Sequence, residues 1–265
     1  MDRAALAAAV PLVDAFAARR EAVTSRTLDF VERDLVAFDG WYSDRLVADM
    51  AGLVASRVLA GQETVGQLTD AYLSRMTSLV AGQDISPVGV SAALAKSLRI
   101  GVAALPEAYG RLGPDYRWRR SQGVDAVEAQ AATVTRAKVM ADEDLGLAFQ
   151  RQVVDFNQRR GVLRYRRVVR SERPCGLCFA ASDRLYTKSD LLPLHARCRC
   201  GVITVTHQTD PGSTLTNDDL PALYEFAGGT SAAQLKRVVV VQHGELGPQL
   251  RVAGQHFRGP DEVAA

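Results

Sequence analysis

The chain has 265 residues, enough for one large domain or two ordinary ones. Hydrophobic residues make up 47% and charged residues 23%, a globular composition that excludes a disordered or low-complexity chain. The net charge of +2 excludes a polycation, and no apolar run approaches the roughly 20 residues that cross a bilayer, so no membrane partner is expected.

The N-terminal stretch Ala4–Val13 is apolar, and Ala15-Phe16-Ala17 imitates a signal-peptidase site. Asp14 interrupts the run and Arg19-Arg20 follow at once, so an exported, processed chain is not expected. The next residues read as amphipathic helices. Leu28, Val31 and Leu35 share a face, as do Leu46, Met50, Leu53 and Val58, and then Val65, Leu68, Tyr72, Met76 and Leu79. Breaks are expected near Gly40 and Gly61, and Gly82 followed by Pro87 marks a helix end. A further helix is predicted over Val88–Ala104.

Pro106, Gly110, Gly113 and Pro114 then predict an irregular connection. It carries the basic aromatic cluster Tyr116-Arg117-Trp118-Arg119-Arg120, read as a loop pinned by one buried tryptophan or as a contact for nucleic acid or a partner. From about Asp125 to Gln158 runs one long helix, with Val127, Ala131, Val134, Ala141, Leu145, Phe149, Val153 and Phe156 as a core-facing stripe and Gly161 as its stop. At 1.5 Å per residue it is about 50 Å long. Beyond Gly161 the pattern changes. Val162–Arg170 and Gly201–Thr206 read as strands, with a short one at Leu185-Tyr186. Asp218–Phe226 reads as a short helix. Val238–Gln242 and Leu250–Val252 read as a hairpin around Gly244–Pro248. The predicted class is α+β: a mainly helical region over 1–122, a long connecting helix over 123–160, and a small α+β domain over 161–265.

The cysteines are the most informative residues. Cys175, Cys178, Cys198 and Cys200 lie close together, and the rest of the chain has none. Such clustering in a cysteine-free background points to a metal site. Cys175-x2-Cys178 lets two thiolates reach one ion from a turn that Gly176 relaxes. His195, Cys198 and Cys200 supply a second group. Three or four sulfurs with at most one imidazole suit tetrahedral Zn²⁺. Five candidates compete for four positions: His195-x2-Cys198 favours three cysteines and one histidine, and an extended Cys198–Cys200 pair allows four cysteines. A full ligand set without an acidic residue inside it favours structural over catalytic zinc. The alternative without metal is four reduced cysteines packed as small apolar residues.

Between Arg159 and Arg199 there are eleven Lys and Arg against three Asp and Glu. Arg197 and Arg199 are placed to offset the charge of a thiolate-bound ion. Arg159, Arg160, Arg164, Arg166, Arg167 and Arg170 form a candidate basic surface for solvent, an acidic protein or phosphate. No catalytic set is found. His207 and His256 have no partner motif, His243 beside Glu245 is a weak pair, and Ser182, Ser189, Ser213 and Ser231 lie in no recognised motif.

The Cys-x2-Cys pair, the basic stretch after it and then Pro193-Leu194-His195-Ala196-Arg197-Cys198-Arg199-Cys200 before a strand resemble the signature of phage Mu protein F-like (MuF) minor head proteins. The stretch Val240–Leu250 is similar to the tail of versions from tailed phages of actinobacteria. The resemblance covers about Arg160 to Phe257; the helical half matches only in length and character. It implies a structural minor head protein made in the bacterial host cytoplasm. Such a protein would sit at the portal vertex or in the head interior, with the portal protein or the major capsid protein as partner. The alternatives are a capsid maturation protease and a zinc-containing head protein touching packaged DNA non-specifically. No small-molecule substrate and no added toxin domain are expected.

Overall fold

In a computed structural model the described residues are 3–90, 104–162, 164–168, 175–182, 184–187, 200–205, 219–243 and 247–254. The helices and strands follow in chain order: α1 (Arg3–Val36), α2 (Asp44–Ala81), α3 (Leu105–Gly110), α4 (Leu112–Ser121), α5 (Ala126–Arg160), β1 (Tyr165–Val168), α6 (Gly176–Ser182), β2 (Leu185–Tyr186), β3 (Gly201–Thr204), α7 (Asp219–Ala227), α8 (Ala232–Lys236), β4 (Val238–His243) and β5 (Gly247–Val252). The class is α+β, with helices dominant and the strands near the C-terminus.

Local chemistry sets the ends of the long helices. Ser43 caps α2, its hydroxyl accepting from the Leu46 amide, and Gly82 stops it in the left-handed conformation at φ 65°. Asp125 caps α5 by accepting from the Glu128 amide at 2.9 Å, and Gly161 stops it at φ 63°. The predicted break near Gly40 therefore falls in the α1–α2 turn, and the stops at Gly82 and Gly161 are present.

The break near Gly61 is absent: α2 runs through it. Gly61 is buried where α1, α2 and α5 meet. A Cβ built there would lie 2.7 Å from Thr27 Oγ1 and 2.8 Å from Leu145 Cδ2. The glycine thus serves close helix approach rather than chain reversal. Beside it, Gln62 donates to the Asp144 carbonyl at 3.1 Å, and the Tyr109 hydroxyl donates to Asp144 Oδ2 at 2.7 Å.

The connection predicted after Pro106 is also helical. Pro106 sits in the first turn of α3, where its missing N–H costs nothing, and Gly113 lets α4 approach Val47, whose Cγ1 would stand 2.7 Å from a Cβ. Trp118 is 60% exposed, so it does not pin this segment; Tyr116 does, stacked on the buried Trp41 at 4.7 Å. The arginines there are engaged within the chain. Arg117 bonds Asp44 and the Trp41 carbonyl, Arg119 and Arg136 bond Asp115, and Arg120 bonds the Val124 carbonyl. The helix expected over Val88–Ala104 does not begin at Val88, since residues 84–90 form no helix; residues 91–103 lie outside the described part.

Two apolar cores run along the bundle. One joins Val31, Leu35, Val54, Val58, Tyr109 and Ala137. The other joins Phe16, Tyr72, Met76, Leu145, Phe149 and Phe156, and continues into Tyr165, Val202 and Ile203 of the strands. Each such large side chain contributes about 1.5–3 kcal/mol through burial. The stripe of α5 holds from Val134 to Phe156, while Val127 and Ala131 face solvent. Leu46 and Leu53 on α2 are likewise exposed.

The first sheet is antiparallel in the order β2-β1-β3, with Tyr165 opposite Tyr186 on one side and Thr204 on the other. All four residues of β3 are buried. The Tyr72 hydroxyl donates to the Val202 carbonyl at 2.6 Å, and the Thr77 and Thr204 hydroxyls lie 3.2 Å apart. This sheet therefore shares a core with α1, α2 and α5. A smaller core of Ala180, Leu223, Leu235 and Val238 holds α6, α7, α8 and the β4–β5 hairpin. The unforeseen helix α8 opens with a capping box between Ser231 and Gln234. The hairpin is paired from Val238–Val252 to His243–Gly247. No helix among the described residues is long and apolar enough to cross a membrane.

Candidate metal centre

Cys175 is held by an isolated bridge to Val239 on the edge of β4, and its carbonyl accepts from the Phe179 amide to start α6. One turn later Cys178 points back. Its amide donates to Cys175 Sγ at 3.4 Å, and the two sulfurs are 3.4 Å apart. Gly176 between them does not adopt a left-handed backbone. A Cβ there would stand 2.9 Å from Leu223 Cδ1 and 3.0 Å from the Leu235 carbonyl oxygen, so smallness rather than turn flexibility demands glycine.

Cys200 arrives from the other direction. It precedes β3, whose first residue Gly201 pairs with Val168. Cys178 and Cys200 are buried and form one cluster, with half-buried Cys175 packed against them. All three are reduced. Three of the five predicted ligands thus come together at the junction of the sheet that packs on the bundle and the small α6–α8 core. His195 and Cys198 lie outside the described residues. Among the described residues no group of three or more His, Cys, Asp or Glu is arranged to hold a metal ion. The donor types nevertheless suit zinc: soft thiols with no carboxylate among them.

Of the predicted basic residues, those described differ in their surroundings. Arg159 donates to the Val88 carbonyl at 2.9 Å and Arg160 to the Ser86 carbonyl. Arg167 is 5% exposed, with its guanidinium 5.3 Å from the Tyr186 ring centre, so it is not a surface residue. Strand alternation puts Arg164 and Arg166 on the opposite side, half-buried. Arg170 lies outside the described residues, as do Glu245, His207 and His256. His243 ends β4, opposite Gly247.

The sequence reading missed the polar cluster around Asp144. Tyr109 and Asp144 are both fully buried and hydrogen-bonded, on helices whose apolar pattern drew attention elsewhere. A buried tyrosine–carboxylate bond between helices fixes their register, a structural role. In comparisons with known proteins, no family model, no curated protein and no solved structure matches this chain.

Proposed function

We propose that this chain is a structural minor head protein of a tailed bacteriophage, of the MuF kind, that binds the portal vertex or the inner capsid surface during head assembly. The reading rests on the ordered signature Cys175, Cys178, Pro193, His195, Cys198, Arg199 and Cys200. The observation that supports it best is the packing of Cys200 against the Cys175–Cys178 pair, which joins the two ends of that signature.

In this proposal four of Cys175, Cys178, His195, Cys198 and Cys200 hold one structural Zn²⁺. Three thiols are already neighbours, and the fourth donor comes from the His195–Cys198 segment. The ion would staple the α6–α8 core to the sheet that packs on the bundle. Its role is fixation, because a filled ligand set leaves no site for a reacting water.

Two measurements test the reading separately. The purified chain should co-sediment with the portal protein or with assembled shells, and be present in purified heads. Absence from heads together with binding to neither partner overturns the assembly role. Elemental analysis should find about one zinc per chain, as a single tetrahedral site requires. A folded, metal-free chain overturns the zinc site.

A further inference from the structure

Cys175 and Cys178 stand one helical turn apart, the spacing that puts two side chains on one face. Both are reduced, and their sulfurs are 3.4 Å apart. A disulfide needs about 2.0 Å, so closing the pair takes a small movement of two side chains. The turn between them has little slack. Cys175 is held by its bridge to Val239, and its carbonyl accepts from the Phe179 amide at 3.0 Å. Gly176 is seated against Leu223 and the Leu235 carbonyl. The Cys178 amide donates to Cys175 Sγ and keeps the two sulfurs side by side.

The thiols differ in access. Cys175 is half-buried, whereas Cys178 is 6% exposed and Cys200 5%. Susceptibility to oxidation rises with exposure, so a small oxidant meets Cys175 first. The sulfur that reacts first then has a second thiol already in contact with it. An accessible cysteine poised beside a resolving one is the arrangement of redox-active cysteines. Cys200 belongs to the same cluster but enters it from the start of β3. That strand is paired with β1 from Val168–Gly201 to Tyr165–Thr204, so Cys200 is tied to the sheet and not to the α6 turn.

We propose that Cys175 and Cys178 form a redox pair that a hydroperoxide closes to a disulfide and a dithiol reopens. The Cys175 sulfur attacks one peroxide oxygen. The O–O bond breaks, leaving Cys175 as a sulfenic acid and releasing water from hydrogen peroxide or an alcohol from an organic hydroperoxide. The Cys178 sulfur then attacks Cys175 Sγ. The S–O bond breaks, the S–S bond forms and water leaves. The two sulfurs together lose two electrons, the peroxide gains two, and both thiol hydrogens leave in the products. The pairing rests on the sulfur geometry alone. One consequence rests on the zinc reading: the disulfide withdraws two donors, so the ion leaves and α6 is released from Cys200.

The probe is hydrogen peroxide added to the full chain, followed by N-ethylmaleimide and trypsin. Trypsin yields the peptide Ser171–Arg184, whose only cysteines are Cys175 and Cys178. After brief oxidation this peptide should lack two hydrogens and carry no maleimide, while Cys200 is labelled. Dithiothreitol given after the peroxide should restore labelling at both. Without peroxide, Cys175 should take up maleimide at least about tenfold faster than Cys178 in the folded chain, and at an equal rate in urea. Cys178→Ser leaves Cys175 without its resolving thiol, so dimedone should trap the sulfenic acid there. No disulfide with or without a zinc chelator, a disulfide to Cys200, or equal labelling of the two thiols in the folded chain each overturns the proposal. Zinc release, read with a chromogenic chelator, separates the two readings: a disulfide formed with no ion released leaves the redox pair standing and overturns the zinc site.

Discussion

Gly61 separates two opposing physical effects on one helix. Replacing an interior helical glycine with alanine gains about 1 kcal/mol of helix propensity. At Gly52, also in α2, a Cβ would meet nothing within 4 Å. Gly52→Ala should therefore stabilise the fold by about 0.5–1 kcal/mol. At Gly61 the same methyl group would stand 2.7 Å from Thr27 Oγ1 and 2.8 Å from Leu145 Cδ2. The Thr27 hydroxyl is committed to the Val23 carbonyl at 2.9 Å, and Leu145 is 2% exposed in the packed core, so neither yields freely. Overpacking of this kind costs about 1–3 kcal/mol. Gly61→Ala should then be destabilised by up to about 2 kcal/mol despite its better propensity. Thermal melts of the two variants read the difference directly, at about 2–4 °C per kcal/mol for a chain of this size. If Gly61→Ala melts at or above Gly52→Ala, α1, α2 and α5 do not approach as described.

Two further substitutions test the packing. Tyr109→Phe removes the donor to the fully buried Asp144 carboxylate, and denaturant unfolding should show a loss of about 1–3 kcal/mol. Trp41→Ala should cost about 3–5 kcal/mol, because Trp41 is 3% exposed and stacked on Tyr116. Trp118→Ala, at a side chain 60% exposed, should stay within about 0.5 kcal/mol. Equal effects at the two tryptophans would reverse the assignment of which one anchors α4.

Periodicity made the long helices legible because a buried stripe repeats over many turns, as from Val134 to Phe156 on α5. Glycine was legible only where it ended a helix. Gly82 and Gly161 need a left-handed backbone, whereas Gly61, Gly113 and Gly176 are there because a neighbour lies too close for a side chain. Sequence alone cannot tell these uses apart, since the second depends on residues 34 to 84 positions away, such as Thr27 and Leu145 for Gly61. Pro106 was misread for a similar reason: in a first helical turn it opens a helix instead of breaking one. The thiol cluster was legible as a composition signal, and Cys175, Cys178 and Cys200 do come together. The basic run was less so. Charge counting cannot see that Arg159 and Arg160 bind the distant backbone carbonyls of Val88 and Ser86 or that Arg167 is buried.

The position of the three thiols predicts how the chain loosens when one is removed. Strand β3 is tied to α2 through Tyr72 and Thr77 and shares the core of Phe149 and Phe156, so it does not depend on Cys175. Among the described residues the α6–α8 core is small, centred on Ala180, Leu223, Leu235 and Val238, so a staple there would contribute a large share of its stability. Under the zinc proposal, Cys175→Ser removes a ligand from that staple. Amide exchange should then rise sharply in α6 and β4, beginning with the Phe179 amide that bonds the Cys175 carbonyl. The Val205 amide, bonded to the Arg164 carbonyl at the edge of the first sheet, should keep its protection, as should α2 and α5. Loss of protection in β3 together with α6 would mean that the sheet depends on the thiol cluster. Unchanged exchange everywhere would mean that the cysteines are packing residues and hold nothing together.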